Sequence, residues 1–227
     1  MTTSAPSSAS FSGWSPRERP GQSVLPGRHV GLEPFSSSHV GALYAATCSG
    51  DQAESWRYRM VAMPASLEEF AEAVGMPLLN PAPGAAYAVV APDAGPVGFF
   101  ACFPCSPTNG VVELSGVLWG QRLQRTPGST EAVHLVLRHL FDDLGYRRVE
   151  WKCDSRNEAS RQAALRLGFT FEGTFRQHMV VKGESRDTEW FAMLDGEWPE
   201  IRERHERWLA PENFDEAGRQ RRRLADC

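Results

Sequence analysis

No stretch of this chain approaches the roughly 18 consecutive apolar residues that span a bilayer, and the N-terminus lacks a basic region followed by an apolar one. A cytoplasmic protein is therefore expected. Positive charge is not in excess either: 24 Lys and Arg stand against 28 Asp and Glu, for a net charge of −4 and a pI near 5.9. Nucleic acid and membrane surfaces are accordingly not expected as partners, because both require clustered cations. The cysteines are few, odd in number and scattered as Cys48, Cys102, Cys105, Cys153 and Cys227, which argues against a disulfide framework and for free thiols in a reducing compartment. Metal-ligand spacing is also missing. Cys102-Phe-Pro-Cys105 has no second cysteine pair, and His134 and His139, five apart on a predicted helix, do not share a metal-binding face. No metal is expected, and both histidines read as surface residues.

What is present suffices for one good core: 227 residues, 41% of them hydrophobic, predict a single domain with extensions. Residues 1–27 open with a Ser/Pro/Gly-rich stretch that reads as a flexible arm. A strand is predicted from Arg28 to Pro34. A helix capped by Ser38 and closed by Gly50 follows, then a second helix opened by a Ser66/Glu69 capping box and ended by Gly75 and Pro77. Three strands starting at Ala85, Val97 and Val111 read as an antiparallel meander. The pattern then changes to helix (Pro127 to Leu144), strand (Arg147 to Cys153), and a helix capped by Asn157 or Ser155 with Ala163, Ala164 and Leu167 facing inward. A hairpin of residues 170–182 and 188–194, turning over 182–187, completes the sheet. The last helix runs from Glu197 to Leu209, ahead of a basic RQRRR tail.

The segment QRTPGST, Gln124 to Thr130, lies between a strand and a helix. A helix start presents unpaired N–H groups and a positive dipole end, which suit a pyrophosphate; Thr126 can cap it, Pro127 can open it, and small Gly128 and Ser129 would let phosphate oxygens approach. Read alone, this is an ordinary helix cap. Downstream, Thr130-Glu131-Ala132 is followed by the ordered set Asn157, Ser160, Ala163, Gly168, Phe169, Glu172, Gly173 and Arg176, and later by Arg186-Asp187. On these residues, over roughly 28–195, the chain resembles the GCN5-related N-acetyltransferases, especially the branch that includes the ribosomal-protein N-terminal acetyltransferases.

That resemblance implies an α/β fold with a mixed, mostly antiparallel sheet of about six to seven strands flanked by helices, splayed between strands four and five to hold acetyl-CoA. It further implies direct transfer of the acetyl group to a primary amine in a ternary complex, without a metal. Carried onto this sequence, it places the cofactor against Val117, Leu118 and Trp119 of strand four, against Gln124, Arg125, Thr126, Gly128, Ser129 and Thr130 of the loop, and against Asn157. Glu113 becomes the base. A carboxylate among Val112, Leu114 and Val117 would have its pKa raised toward the useful range. Ser160 becomes the proton donor to the thiolate, because the position of the tyrosine used elsewhere in the family is Ala164. Ser115-Gly116 is the expected site of a strand-four bulge that turns backbone groups to the thioester. Trp56, Tyr58 and His178 are the expected acceptor-binding residues, and Arg186-Asp187 is expected to order the last hairpin. The acceptor is expected to be a small-molecule amine, with a protein N-terminal α-amine as the alternative and a non-catalytic acyl-CoA-binding module as the rival. Residues 196–227 resemble a C-terminal extension of the same branch, read as a helix that covers the domain or a second copy in a homodimer.

Overall fold

The computed structural model describes residues 12–21, 23–79, 81–82 and 84–227. Among these, the strands are β1 (Gly31–Pro34), β2 (Ala85–Ala91), β3 (Gly95–Ser106), β4 (Val111–Trp119), β5 (Arg148–Asp154), β6 (Thr170–Val181) and β7 (Glu184–Leu194). They form one sheet in the order β1-β2-β3-β4-β5-β7-β6, antiparallel throughout except for the parallel β4–β5 pair. The parallel pair requires a crossover, which α5 (Pro127–Arg138) and a π-helical turn (His139–Asp143) supply. This is the expected mixed, mostly antiparallel sheet flanked by helices.

Side-chain alternation gives the sheet two apolar faces. One carries Tyr87, Phe100, Val112, Leu114, Val149, Trp151, Phe191 and Met193 against α5, α6 (Glu158–Arg166) and α7 (Trp198–Leu209). The other carries Ala88, Phe99 and Leu118 against α1 (Val40–Cys48), α2 (Ala53–Trp56) and α3 (Leu67–Phe70), through Leu43, Trp56, Phe70 and Val74.

Several boundaries differ from expectation. The first helical segment begins as a 3₁₀ turn at Ser37–His39, where the Ser36 amide donates to His39 Nδ1, so Ser38 is not the cap. After α3 the chain winds through a π turn, Ala71–Gly75, into α4 (Met76–Leu79), so that neither Gly75 nor Pro77 stops it. The wider π winding tolerates a residue without an N–H donor. Only Lys182 and Gly183 separate β6 from β7, a tighter turn than the six-residue one expected, with both residues at positive φ (+50° and +82°). Of the segment read as an arm, residues 1–11 and 22 lie outside the described residues. Trp14 to Gly21 run along the domain: Trp14 Nε1 donates to the Thr108 carbonyl (2.8 Å), and the Tyr146 hydroxyl donates to that of Glu18 (2.9 Å).

His134 and His139 are not surface residues. Both are buried; α7 lies over α5 and brings Trp198 and His205 onto His134, at ring-centroid distances of 5.9 and 5.7 Å, while His139 Nδ1 lies 2.9 Å from Asp143 Oδ2. Burial first, then Arg138, holds His134 down to about 4; burial first, then His134, holds His205 down to about 3. His205 Nε2 donates to the Leu167 carbonyl at 3.0 Å.

Candidate active site

β4 and β5 are paired only from Val111↔Arg148 to Leu114↔Trp151. Beyond that seam, β4 continues to Trp119 beside β3 and β5 continues to Asp154 beside β7, so the sheet is split at the end toward which both strands run. A bulge shapes the β4 lip. Phe99↔Leu118 gives way to Ala101↔Ser115, one extra residue on β4, with Gly116 at φ +60°. A side chain at that φ is strained, so the sequence places glycine where β4 turns out of register.

The pyrophosphate-type loop lies just past this lip. Arg125 has φ +58°, Thr126 is the N-cap of α5 and Pro127 its first residue. The Thr126 hydroxyl donates to the Leu123 carbonyl and the Ser129 hydroxyl to that of Thr126, both at 2.8 Å, so neither side chain caps the helix amides. A left-handed residue followed by an uncapped helix start is an anion-binding arrangement. Not every residue expected at the phosphates faces them. Gly128 is buried, and a Cβ there would meet Val30 Cγ1 at 2.9 Å, so this glycine admits β1 rather than a ligand. Thr130 is buried and accepts from Arg166 Nη1 of α6 (2.9 Å). Gln124 Nε2 donates to the Trp119 carbonyl (2.8 Å) and Ser55 Oγ (3.2 Å), bracing the loop against β4 and α2. Leu118 points into the second core, Trp119 meets Phe100 edge-on, and Val117 is half-buried at the lip.

On the β5 side, Asn157 caps α6 by accepting from the Ser160 amide (3.1 Å). Ser160 Oγ accepts from Trp151 Nε1 at 2.9 Å and lies beside Cys153, whose thiol burial pushes up to about 11. An indole can only donate, so this contact uses a lone pair of Ser160 and leaves its O–H to act as a donor.

The opposite face carries Glu113. It is 6% exposed, and burial raises its pKa against the opposing pull of Lys152, whose Nζ is 2.5 Å from Oε2. Lys152 also lies 4.0 Å over the Trp190 ring. His178 joins this group: its Nδ1 is 2.9 Å from Thr188 Oγ1, and its ring meets those of Trp190 and Phe175. Glu113 and His178 therefore share one face, whereas Ser160 and Asn157 lie on the other, across β5. Trp56 is not at the surface of the cleft; it is 2% exposed, with Nε1 donating to the Thr47 carbonyl (2.8 Å). Tyr58 is half-buried near Arg156, 6.0 Å from ring centroid to guanidinium carbon.

Residues 56–60 run across the open end as a strap. At one lip, Arg59 Nη1 donates to the carbonyls of Gly116 (3.1 Å) and Val117 (3.2 Å). At the other, Lys182 Nζ donates to the carbonyls of Trp56 (3.2 Å) and Arg57 (2.8 Å), and Arg186 Nη1 lies 3.4 Å from Met60 Sδ. Sequence reasoning did not find Arg59, Lys152, Lys182 or Trp151. One signal was available: Lys152 and Lys182 are the only two lysines in a chain whose other cations are arginine, and both lie at the site. Arg186-Asp187 divides its roles. Asp187 Oδ1 accepts from the Gln177 amide (2.6 Å) and orders the hairpin, whereas Arg186 turns to the strap. Neither CxxC thiol joins the site: Cys102 and Cys105 are free and buried, and Cys105 Sγ is 3.1 Å from the Tyr146 hydroxyl.

Residues 29–170 match the profile of the acetyltransferase (GNAT) domain family. Among solved structures, a GCN5-related N-acetyltransferase from Brucella melitensis is 41% identical, with a TM-score of 0.90 over 94% of this chain and 97% of that one. A protein described as a probable acetyltransferase (GNAT family) from Chromobacterium violaceum is 37% identical, with a TM-score of 0.79 over 88% of this chain and 100% of that one. An acetyltransferase from Salmonella typhimurium that modifies the N-terminal serine of a ribosomal protein shares the fold at 21% identity, with a TM-score of 0.65 over 76% of this chain and 99% of that one. No curated protein matches the chain.

Proposed function

The chain belongs to the GNAT acetyltransferase family and is an N-acyltransferase; from that premise we propose that it carries an acetyl group from acetyl-CoA to the primary amine of a small molecule. The observation that carries this reading is the split between β4 and β5, which has an uncapped helix start on one side and a buried carboxylate and a polarised serine on its two faces. A pantetheine arm laid along Val117 to Trp119 would bring its thioester into the gap, with the pyrophosphate at Arg125 to Ser129 and Asn157 beside the arm.

Each residue then has a defined task. An amine is protonated at neutral pH and cannot attack until it loses a proton, which Glu113 accepts. Burial raises the carboxyl while the Lys152 ammonium keeps it ionised, so it waits as a base with more affinity for a proton than an exposed glutamate. The nitrogen attacks the acetyl carbonyl carbon, the C–N bond forms, the nitrogen sheds its second proton to solvent, and the C–S bond breaks. Sulfur takes a proton from Ser160 O–H, and solvent restores it. The Trp151 indole, by donating to Ser160 Oγ, stabilises the electron density left on that oxygen. The bulge orients the Val117 amide: with the Gly116 carbonyl directed to Arg59, peptide planarity turns the next N–H the opposite way.

Thiol release measured with acetyl-CoA and a panel of amines tests the assignment, alongside calorimetry with CoA alone. Binding with turnover supports it. CoA binding without turnover of any amine identifies a non-catalytic module, and absence of CoA binding overturns the reading. No helix among the described residues is long and apolar enough to cross a membrane.

A further inference from the structure

Two guanidiniums line the cleft, Arg59 at the β4 lip and Arg186 near Glu113, and no carboxylate lies within ion-pair distance of either among the described residues. Arg59 is half-buried; its Nη1 is used by the bulge carbonyls, and its Nε is buried without a hydrogen-bond partner among the described residues. Burial holds it down to about 10. Arg186 is half-buried, its Nε is likewise buried without a partner, and its side-chain hydrogen bond among the described residues is to the Met60 thioether, a weak acceptor. Lys152 is paired with Glu113, and Arg156 with Asp154 and Glu184. The cleft wall thus keeps two guanidiniums without a carboxylate in ion-pair contact among the described residues, each with a buried Nε donor, near the one carboxylate assigned to accept the amine's proton. Burying a cation without a partner is costly, and a site that keeps one is built for an anion brought from outside.

We propose that the acceptor is an amine bearing a carboxylate on the same molecule, with Arg186 receiving the carboxylate while Glu113 faces the amine. This rests on the acetyltransferase reading above. The Arg186 charge acts on Glu113 in the free protein, lowering its proton affinity; pairing Arg186 with a substrate carboxylate cancels that effect and makes Glu113 a stronger base only when the right acceptor is bound. A planar guanidinium suits a carboxylate better than it suits a thioether, so Met60 is the contact to be displaced. CoA phosphates belong at the α5 start, on the far lip of the split, and do not explain Arg186.

The carboxylate is that of a free amino acid or the acidic side chain following a peptide N-terminus, and matched pairs separate the two. Initial rates of full-length protein are compared for amino acids against their amides, and for short peptides with Asp or Asn second. A preference of at least tenfold in kcat/KM for the charged member of either series is expected. Arg186→Gln should erase that preference by raising the KM of the charged acceptor relative to the uncharged one, while leaving the KM for acetyl-CoA within about twofold. Equal rates within both series, or a loss in Arg186→Gln that falls on acetyl-CoA, overturn the proposal. Should no amine be turned over, N-acetyl amino acids and their amides are compared as ligands by calorimetry with CoA present. Tighter binding of the acid, lost in Arg186→Gln, still supports the carboxylate site even though the catalytic reading has failed; equal or absent binding overturns it.

Discussion

Glu131 sits in the Thr-Glu-Ala run that follows the pyrophosphate-type loop, and its work is structural. Its carboxylate accepts from the amides of Arg28 (2.8 Å), His29 (2.6 Å) and Val30 (2.8 Å), pinning the start of β1 to α5. Removing it leaves three amides without their acceptor, and hydrogen bonds to a charged group are worth about 1.5–3 kcal/mol each. Glu131→Ala should lower the unfolding free energy by about 3 kcal/mol in a denaturant titration, without altering the KM for acetyl-CoA in the fraction that stays folded. Glu113→Gln should instead act on turnover, lowering kcat on the order of 100-fold, and should also cost some stability, because the largely buried Lys152 ammonium loses its carboxylate. The wild-type pH profile carries the same signature. A carboxyl whose pKa is raised loses its role as base on acidification earlier than an ordinary glutamate, so the acid limb of kcat should lie above the usual carboxylate range and vanish in the variant. At this scale the sequence was read through the family pattern, and that pattern gives positions without directions. It could not say that Gly128 faces Val30, that Thr130 holds Arg166, or that Trp56 is core. Orientation follows from which neighbours a side chain meets after the chain has folded, and Val30 is 98 positions from Gly128.

Elements were far more legible than side chains, because period-2 and period-3.6 patterns are local. The β2–β3–β4 meander, the helix beginning at Pro127 and the Asn157 cap all follow from such patterns. Boundaries slipped where non-local contacts decide them: the π turn after α3, and the two-residue turn at Lys182-Gly183. That turn projects Lys182 to the strap carbonyls, so the hairpin tip and the acceptor side of the cleft are one mechanical unit. Lys182→Met keeps the length of the side chain and removes its donors. The acceptor KM should rise several-fold with little change in the KM for acetyl-CoA, and amide exchange over residues 56–60 should quicken.

For the molecule as a whole, the C-terminal helix matters most. Trp198, Ile201, His205 and Trp208 are its buried side chains; Trp198 stacks on Phe141 with centroids 5.5 Å apart, and its Nε1 donates to Asp142 Oδ1 (2.8 Å). A sequence without its fold showed His134 on a helix and His205 on another, and nothing local announced that they would meet. Their meeting makes stability depend on pH. Both imidazoles bind protons less readily folded than unfolded, so the stability they permit is complete above about pH 6.5, the unfolded value, and is lost as pH falls toward the folded values of about 4 and 3. Thermal melts should show Tm falling between pH 6.5 and 4.5 more steeply in the wild type than in His134→Phe. The split sheet has a further implication. Four register pairs, Val111↔Arg148 to Leu114↔Trp151, join its two halves at one end, and five strap residues tie them at the other. Those residues reach no further than about 18 Å when fully extended. The span of the open end is therefore limited by chain length, as a drawstring limits the mouth of a bag: the two halves of the sheet cannot part further there without giving up the Arg59 or Lys182 contacts.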